Sequence, residues 1–328
     1  MSAHMPTTFE NADPLAKRAK ADGENANDPK NSNNSAYQWK LTFVGTQAIR
    51  TLVDVIGNIL NRISFRIMHD SKNNENFLCI DSIDPNHVCM CQARLRLDQS
   101  DILCDDNNFC IDSNLMQKCL GNIASHYSLD MVRYRDGNGV PSNHITLDAY
   151  DTLSNSHSTR YRLPTIADES ESMRIQNMNY ATTVEIDLGV MRNMIKLAVN
   201  LHSEKVEFSV HMPVEEDPKI LRSKFTIASF GDAEQTQSFY SSTTREDGCE
   251  NVIRAATDAS SAPSNQVFKK IYSDSFSAQF LTLFLKSMER QVITMKLSDG
   301  KPLVLHYPLG PDKSYISFIL APKVDDDE

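Results

Sequence analysis

From Tyr37 onward the chain alternates two hydrophobic periods, and it does so in the same order twice. The first pass opens on WKLTFVG, where Trp39, Leu41 and Phe43 recur at every second residue, as on a half-buried strand. From Thr46 to Ile63 the spacing lengthens, and Ile49, Leu52, Val53, Ile56, Ile59, Leu60 and Ile63 fall on one face of a predicted amphipathic helix. Strand-like runs follow at SFRIMHD, NFLCIDSI, HVCMCQARLRL and NNFCIDS, then a short helix around Leu115 to Ala124, then MVRYRDGNG and HITLDAY. Gly137 and Gly139 lie between these last two runs and predict a hairpin turn rather than a phosphate-binding loop.

The second pass begins at Tyr180. ATTVEID predicts a strand, Leu188 to about His202 a helix, and KVEFSVH, SKFTIAS and QSFYSS further strands; a helix from about Phe276 to Met288 precedes VITMKLS, LVLHYPL and SYISFILA. Each half reads as strand, helix, several strands, helix, several strands. This predicts an α+β chain of two tandem, similar domains with antiparallel sheets, at residues 37–154 and 179–328, joined by a polar connector at 155–178. Two Pro-containing polar stretches near 212–223 and 242–266 are longer than hairpins need and predict surface insertions in the second domain. Residues 1–36 carry too little apolar content to offset the entropy of ordering and predict a disordered tail. Within the tail Lys17, Arg18 and Lys20 read either as a nuclear import signal or as plain solvated charge.

Composition narrows the function. At 328 residues the chain has room for two cores, and no run approaches the roughly 18 consecutive apolar residues of a membrane span, so no membrane partner is expected. The N-terminal stretch has no apolar core of a secretory signal, which implies a reducing interior. Six of the seven cysteines sit among apolar residues between Cys79 and Cys119, as core thiols do; Cys89 and Cys91 are one residue apart with no matching second pair, so no zinc is expected. There is no P-loop, no G-x-G-x-x-G and no H-E-x-x-H, and glycine is scarce at 11 residues, so neither catalysis nor a cofactor is expected.

The net charge of −10 opposes nucleic-acid binding by the chain as a whole, but its distribution changes the picture. The four candidate helices carry Arg50, Arg62, Lys118, Arg192, Lys196, Lys286 and Arg290 against Asp54, Asp112 and Glu289, which is 7 − 3 = +4. An acidic protein with basic helices has its charge sorted, as a DNA-facing helical layer requires.

Three segments carry a family resemblance. KPLVLHYPLGPDKSYISFILAPKVDDDE, with its LAPK element at Leu320 to Lys323, resembles the C-terminus of the PCNA-type sliding clamps; SIDPNHVCMCQARLRLD resembles a strand and loop of that family, and FSAQFLTLFLKSM its last inner helix. The resemblance implies a clamp toroid: a homotrimer with helices inside and sheets outside, which encircles double-stranded DNA as a processivity factor and is placed there by a clamp loader. It implies a nuclear location, or a viral replication compartment, and recruitment of DNA polymerase and repair enzymes through a short interacting peptide. The pocket for that peptide would comprise Ile83, His87, Val88, Met173, Ile175, Pro302, Ile319, Leu320, Ala321 and Pro322. The chain departs from the pattern where Ile319 replaces an aromatic, Gln176 replaces a connector proline, and Asn193 and Asn200 stand where the resemblance implies basic residues or histidine. A subunit of a heterotrimeric checkpoint clamp and a monomeric viral processivity factor are the alternatives.

Overall fold

The computed structural model describes residues 36–102, 108–151, 158–167, 178–214, 222–246, 249–255, 267–286, 288, 292–310 and 313–323. The N-terminal tail, most of the connector, Arg290 and the acidic end lie outside them.

The repeat seen in the hydrophobic pattern is a repeat of elements. The first half runs β1 (Tyr37–Phe43), α1 (Gln47–Ile56), β2 (Arg62–Asp70), β3 (Glu75–Ile83), β4 (Cys89–Arg96), β5 (Gln99–Ile102), β6 (Asn108–Asp112), α2 (Ser113–Gly121), β7 (Ser128–Tyr134), β8 (His144–Tyr150) and β9 (Ser158–Pro164). The second half runs β10 (Thr182–Asp187), α3 (Leu188–Asn200), β11 (Lys205–Pro213), β12 (Arg222–Phe230), β13 (Glu234–Glu246), β14 (Cys249–Ala255), β15 (Phe268–Ser277), α4 (Ala278–Leu285), β16 (Val292–Leu297), β17 (Leu303–Pro308) and β18 (Tyr315–Leu320). The two lists match one for one, and so do the strand neighbours: β5-β1-β7-β8-β9 corresponds to β14-β10-β16-β17-β18, and β6-β2-β3-β4 to β15-β11-β12-β13. Two pairings differ: β5 lies antiparallel to β1 whereas β14 lies parallel to β10, and β13 pairs with β14 whereas no ladder joins β4 to β5 among the described residues.

The helices are built alike. Asp112, Asp187 and Ser277 cap α2, α3 and α4 by accepting from the backbone N–H groups of Leu115, Val190 and Phe280 at 2.8, 3.0 and 3.5 Å. On α1 the buried face is Ile49, Leu52, Val53 and Ile56, and on α3 it is Met191, Met194, Ile195 and Ala198 at the same spacing. Both faces enter one continuous apolar core with Trp39, Phe65, Phe208, Phe284 and Phe318. No helix among the described residues is long and apolar enough to cross a membrane.

Three sequence expectations need correction. The first helix ends at Ile56 rather than Ile63, because Gly57 allows Gln117 of α2 to approach so closely that a Cβ there would fall 2.4 Å from its side-chain nitrogen. Beyond that point Ile63, Phe65 and Ile67 alternate inward as a strand, which moves Arg62 from a helix to the start of β2. The polar residues 158–164, assigned to the connector, form β9, the last strand of the first half. Much of the expected insertion at 242–266 is also strand: β13 continues to Glu246 and pairs with β14, which joins the sheet beside β10.

The halves meet at β18 and β4, an antiparallel ladder running from Tyr315 opposite Arg94 to Leu320 opposite Cys89. Arg96 N–H donates to Ser314 Oγ at 2.9 Å, and Lys313 pairs with Glu75 at 2.9 Å, closing the same end of the junction.

Candidate functional site

The helix pairs bring some of the predicted cations to one surface and use others internally. Arg50 is half-buried, and its Nη1 donates to the carbonyl of Ile123, just past the end of α2, at 3.0 Å. Arg192 donates from Nε and Nη2 to the carbonyl of Leu285 at 3.0 and 2.8 Å, and from Nη2 to that of Met288 at 2.5 Å, at the end of α4. Last-turn carbonyls of a helix lack intrahelical partners and carry the negative end of its dipole, so both guanidinium groups serve as C-terminal caps supplied by a neighbouring helix.

The exposed helical cations that remain are Lys118 in the last turn of α2, Lys196 on α3 and Lys286 at the end of α4. Arg192, Lys196 and Lys286 line a cleft of about 340 Å³ between α3 and α4, floored by Ile195, Val199 and Leu285. The first half is poorer in positive charge. Asp54 occupies on α1 the position that Lys196 has on α3, and its partial burial raises its carboxyl pKa, with Arg50 opposing the rise. The expected excess on the helices is therefore smaller: Arg62 is exposed on β2, and Arg290 and Glu289 lie outside the described residues.

A second group of candidates gathers at the junction of the halves. Asp84 orders the loop after β3, its carboxylate accepting from the N–H groups of Asn86, Val88 and Cys89 at 3.0, 2.8 and 2.5 Å. His87 closes that turn with a φ of 58° and is exposed beside half-buried Val88. Ala321 N–H then donates to the Val88 carbonyl at 3.0 Å, tying the segment after β18 to this loop. Ile83 opposes Met90, Met90 opposes Ile319, and Ile319 opposes Val304, so one apolar row crosses β3, β4, β18 and β17 on the side away from the core. Pro302, half-buried, stands at the end of that row, where its carbonyl accepts from Tyr180 Oη at 3.2 Å.

Leu320 turns its side chain the other way, and half-buried Val88 also packs against the core. Leu320 is fully buried in the core, because neighbouring residues on a strand face opposite sides; Ile319 lies on the other side, outside the core cluster, where it is 8% exposed. Met90 and Val304 were missed from the sequence although they complete the row. The signal was the run Cys89-Met90-Cys91, whose cysteines both join the core cluster and so leave Met90 on the opposite side of the strand, where it is 7% exposed. Met173 and Ile175 lie outside the described residues. Ala321 is exposed and Pro322 half-buried, and Lys323 N–H donates to the Ser275 carbonyl at 2.7 Å, which fixes the course of the chain past them.

No protein-family model matches the chain. Over 179 residues it is 28% identical to proliferating cell nuclear antigen 1 of Plasmodium falciparum, in isolates K1 / Thailand and 3D7 alike, an alignment that covers 52% of this chain and 58% of the relative. The match thus spans somewhat over half the length of those relatives. Among solved structures, the proliferating cell nuclear antigen of Entamoeba histolytica superposes with a TM-score of 0.64 over 88% of this chain and 100% of that one, at 13% identity. That of Thermococcus kodakaraensis gives 0.63 over 87% and 100%, at 15% identity. The chain has the fold of the proliferating cell nuclear antigens, and over about half its length it resembles them in sequence.

Proposed function

We propose that the chain is the subunit of a DNA sliding clamp: a ring of identical copies that holds duplex DNA by encirclement and recruits replication and repair enzymes through a peptide seated on the junction face. The observation that carries the reading is an unused pair of strand edges. Inside the chain, the last strand of one half (β18) pairs with the third sheet strand of the other (β4). Their counterparts β9 and β13 have no such partner: β9 pairs only with β8, and β13 from Glu234 to Ser242 pairs only with β12 among the described residues. An exposed edge is a template for another chain, and a head-to-tail contact repeated until it closes leaves no edge open.

The charge distribution supports sliding rather than gripping. Three exposed lysines on the helices supply weak, screened attraction to phosphates, while the net charge of −10 discourages binding elsewhere. The junction face supports recruitment. Its outward row is apolar at the internal junction, whereas the corresponding positions on β9 and β13 are charged, so a ring of this kind offers one apolar docking row per chain. No catalytic step is assigned to the chain.

Solution mass and DNA topology test this together. Light scattering should give 3 × 36.9 = 110.7 kDa for a trimer, and protein loaded on covalently closed circular DNA should stay bound in high salt but be lost when the circle is cut. A 36.9 kDa monomer at every concentration, or equal loss from circular and cut DNA, rejects the ring. The monomer result would favour a monomeric processivity factor or one subunit of a mixed ring.

A further inference from the structure

We infer that the groove between α3 and α4 binds an acidic peptide, and that its occupant is the chain's own residues 324–328, seated on Lys196 and Lys286 where DNA phosphates would otherwise lie. The docking stands on the groove and its charges; only the competition with DNA rests on the clamp reading above.

The groove is longer than the cleft described above. A second cavity, of about 630 Å³, opens where α3 ends and α4 begins, and Val199 and Thr282 border both. The helices run antiparallel: Arg192, near the start of α3, meets the Leu285 carbonyl at the end of α4, while Val199 and Ala278 line the cavity at the opposite end. The two openings therefore form one channel along the pair. At the α4 start its charges are matched, since His202 lies 2.6 Å from Asp232 and Glu204 lies 2.7 Å from Lys323. At the α4 end they are not, because the lining there carries Arg192, Lys196 and Lys286 and no carboxylate. Arg192 is occupied with helix-end carbonyls, which leaves two exposed ammonium groups above an apolar floor.

The chain itself brings an anion to this channel. Lys323 lines the second cavity and is held there twice, by its N–H on the Ser275 carbonyl at 2.7 Å and by its ammonium group on Glu204. The next five residues, Val-Asp-Asp-Asp-Glu, carry a formal charge of −4. Fully extended they reach about 17 Å. From Thr282 and Val199, at the border of the two cavities, Lys286 and Lys196 lie one helical turn further on, about 5 to 6 Å along each axis, well within that reach. The order of residues fits as well: Val324 follows Lys323 directly and comes first to Val199, which is 42% exposed, and the carboxylates follow where the lysines stand. Exposed ion pairs are individually weak, but a tethered segment acts at a high effective concentration, so two or three of them suffice.

Lysine footprinting of the full chain tests the seating. Brief acetylation at low salt, read by peptide mass spectrometry, compares the parent with a full-length variant carrying Asp325→Asn, Asp326→Asn, Asp327→Asn and Glu328→Gln. Lys196 and Lys286 should react about threefold more slowly in the parent, with Lys118 on α2 reacting alike in both. A short linear duplex, which encirclement cannot retain, should bind the neutralised variant about threefold more tightly at low salt. Equal reactivity of Lys196 and Lys286 in the two proteins, or a change of the same size at Lys118, overturns the docking. Protection that fades on dilution assigns the groove to the segment of another copy and overturns seating by the chain's own. Protected lysines with equal duplex affinities overturn the competition with DNA. The footprint needs neither ring nor DNA, so a parent that stays monomeric would reject the clamp reading while this result still decided the docking.

Discussion

Arg50 and Arg192 hold the same position in the two halves, and each reaches across to the carbonyls that end the partner helix: Ile123 for Arg50, Leu285 and Met288 for Arg192. Ile123 and Met288 are themselves equivalent, each 11 residues past its helix cap, Asp112 or Ser277. The repeat thus extends to a single hydrogen bond. The two arginines that looked like DNA contacts in the sequence are occupied in joining α1 to α2 and α3 to α4.

Removing this cap should cost stability. Arg192 makes three donor contacts to carbonyls that would otherwise lack partners, so Arg192→Gln should lower the unfolding free energy by about 2 kcal/mol, and Arg50→Gln, with one contact, by about 1 kcal/mol. Arg192→Lys should not restore the loss, because an ammonium group cannot fork between two carbonyls. Urea denaturation of the three variants measures this; full rescue by lysine would mean that charge alone mattered.

Ile319 and Leu320 are adjacent and should respond in opposite ways. Ile319→Asp places a charge in the row beside Met90 and Val304, outside the core cluster, and should abolish binding of a partner peptide while costing less stability than the same change at Leu320, since Ile319 keeps 8% exposure. Leu320 is fully buried in the core, so Leu320→Asp places a carboxylate there without a partner and should cost about 4 kcal/mol or more, leaving little folded protein. Circular dichroism together with peptide titration separates the two; a peptide that still bound Ile319→Asp would remove the row from the docking face.

How much of this was legible beforehand depended on whether a residue's neighbours in sequence were also its neighbours in space. The repeat of elements, the buried stripe Ile49–Leu52–Val53–Ile56 and the Gly137–Gly139 hairpin are local, and periodicity gave them directly. β9 was read as connector because an edge strand with one face toward solvent, Ser-Thr-Arg-Tyr-Arg-Leu-Pro, is too polar to look like a strand. Arg192 was read as a DNA contact because its partners lie 93 and 96 residues away. Leu320 was placed in the pocket by resemblance to a motif that does not say which side of the strand each residue faces.

The cysteines give a pH signature. Burial pushes the Cys79 thiol from 9.0 up to about 11, and burial likewise raises Cys89 and Cys91. A thiol whose folded pKa is raised keeps its proton while the unfolded chain loses it, so this contribution is fully present below pH 9.0 and is lost as pH rises through about 11. Cys79 alone accounts for about 2 to 3 kcal/mol of that loss. Urea midpoints should be flat up to pH 8.5 and fall steeply by pH 10.5, and Cys79→Ala should flatten the descent. A descent unchanged by that substitution would assign it to other groups.

The helix lysines should set how the protein responds to salt. Each cation that meets a phosphate releases condensed counterions, so the logarithm of duplex affinity falls with the logarithm of salt concentration by about 0.9 per contact. With Arg50 and Arg192 half-buried and hydrogen-bonded to carbonyls, the proposed phosphate contacts fall to the exposed Lys118, Lys196 and Lys286. Lys196→Glu combined with Lys286→Glu should flatten the slope by about 2 and shorten retention on closed circular DNA, while solution mass and peptide affinity stay at the parent's values. Encirclement as proposed above does not depend on these lysines, so residual retention should still require an uncut circle. An unchanged slope would show that DNA does not touch the cleft between α3 and α4, and the phosphate contacts would then have to be sought off the helices.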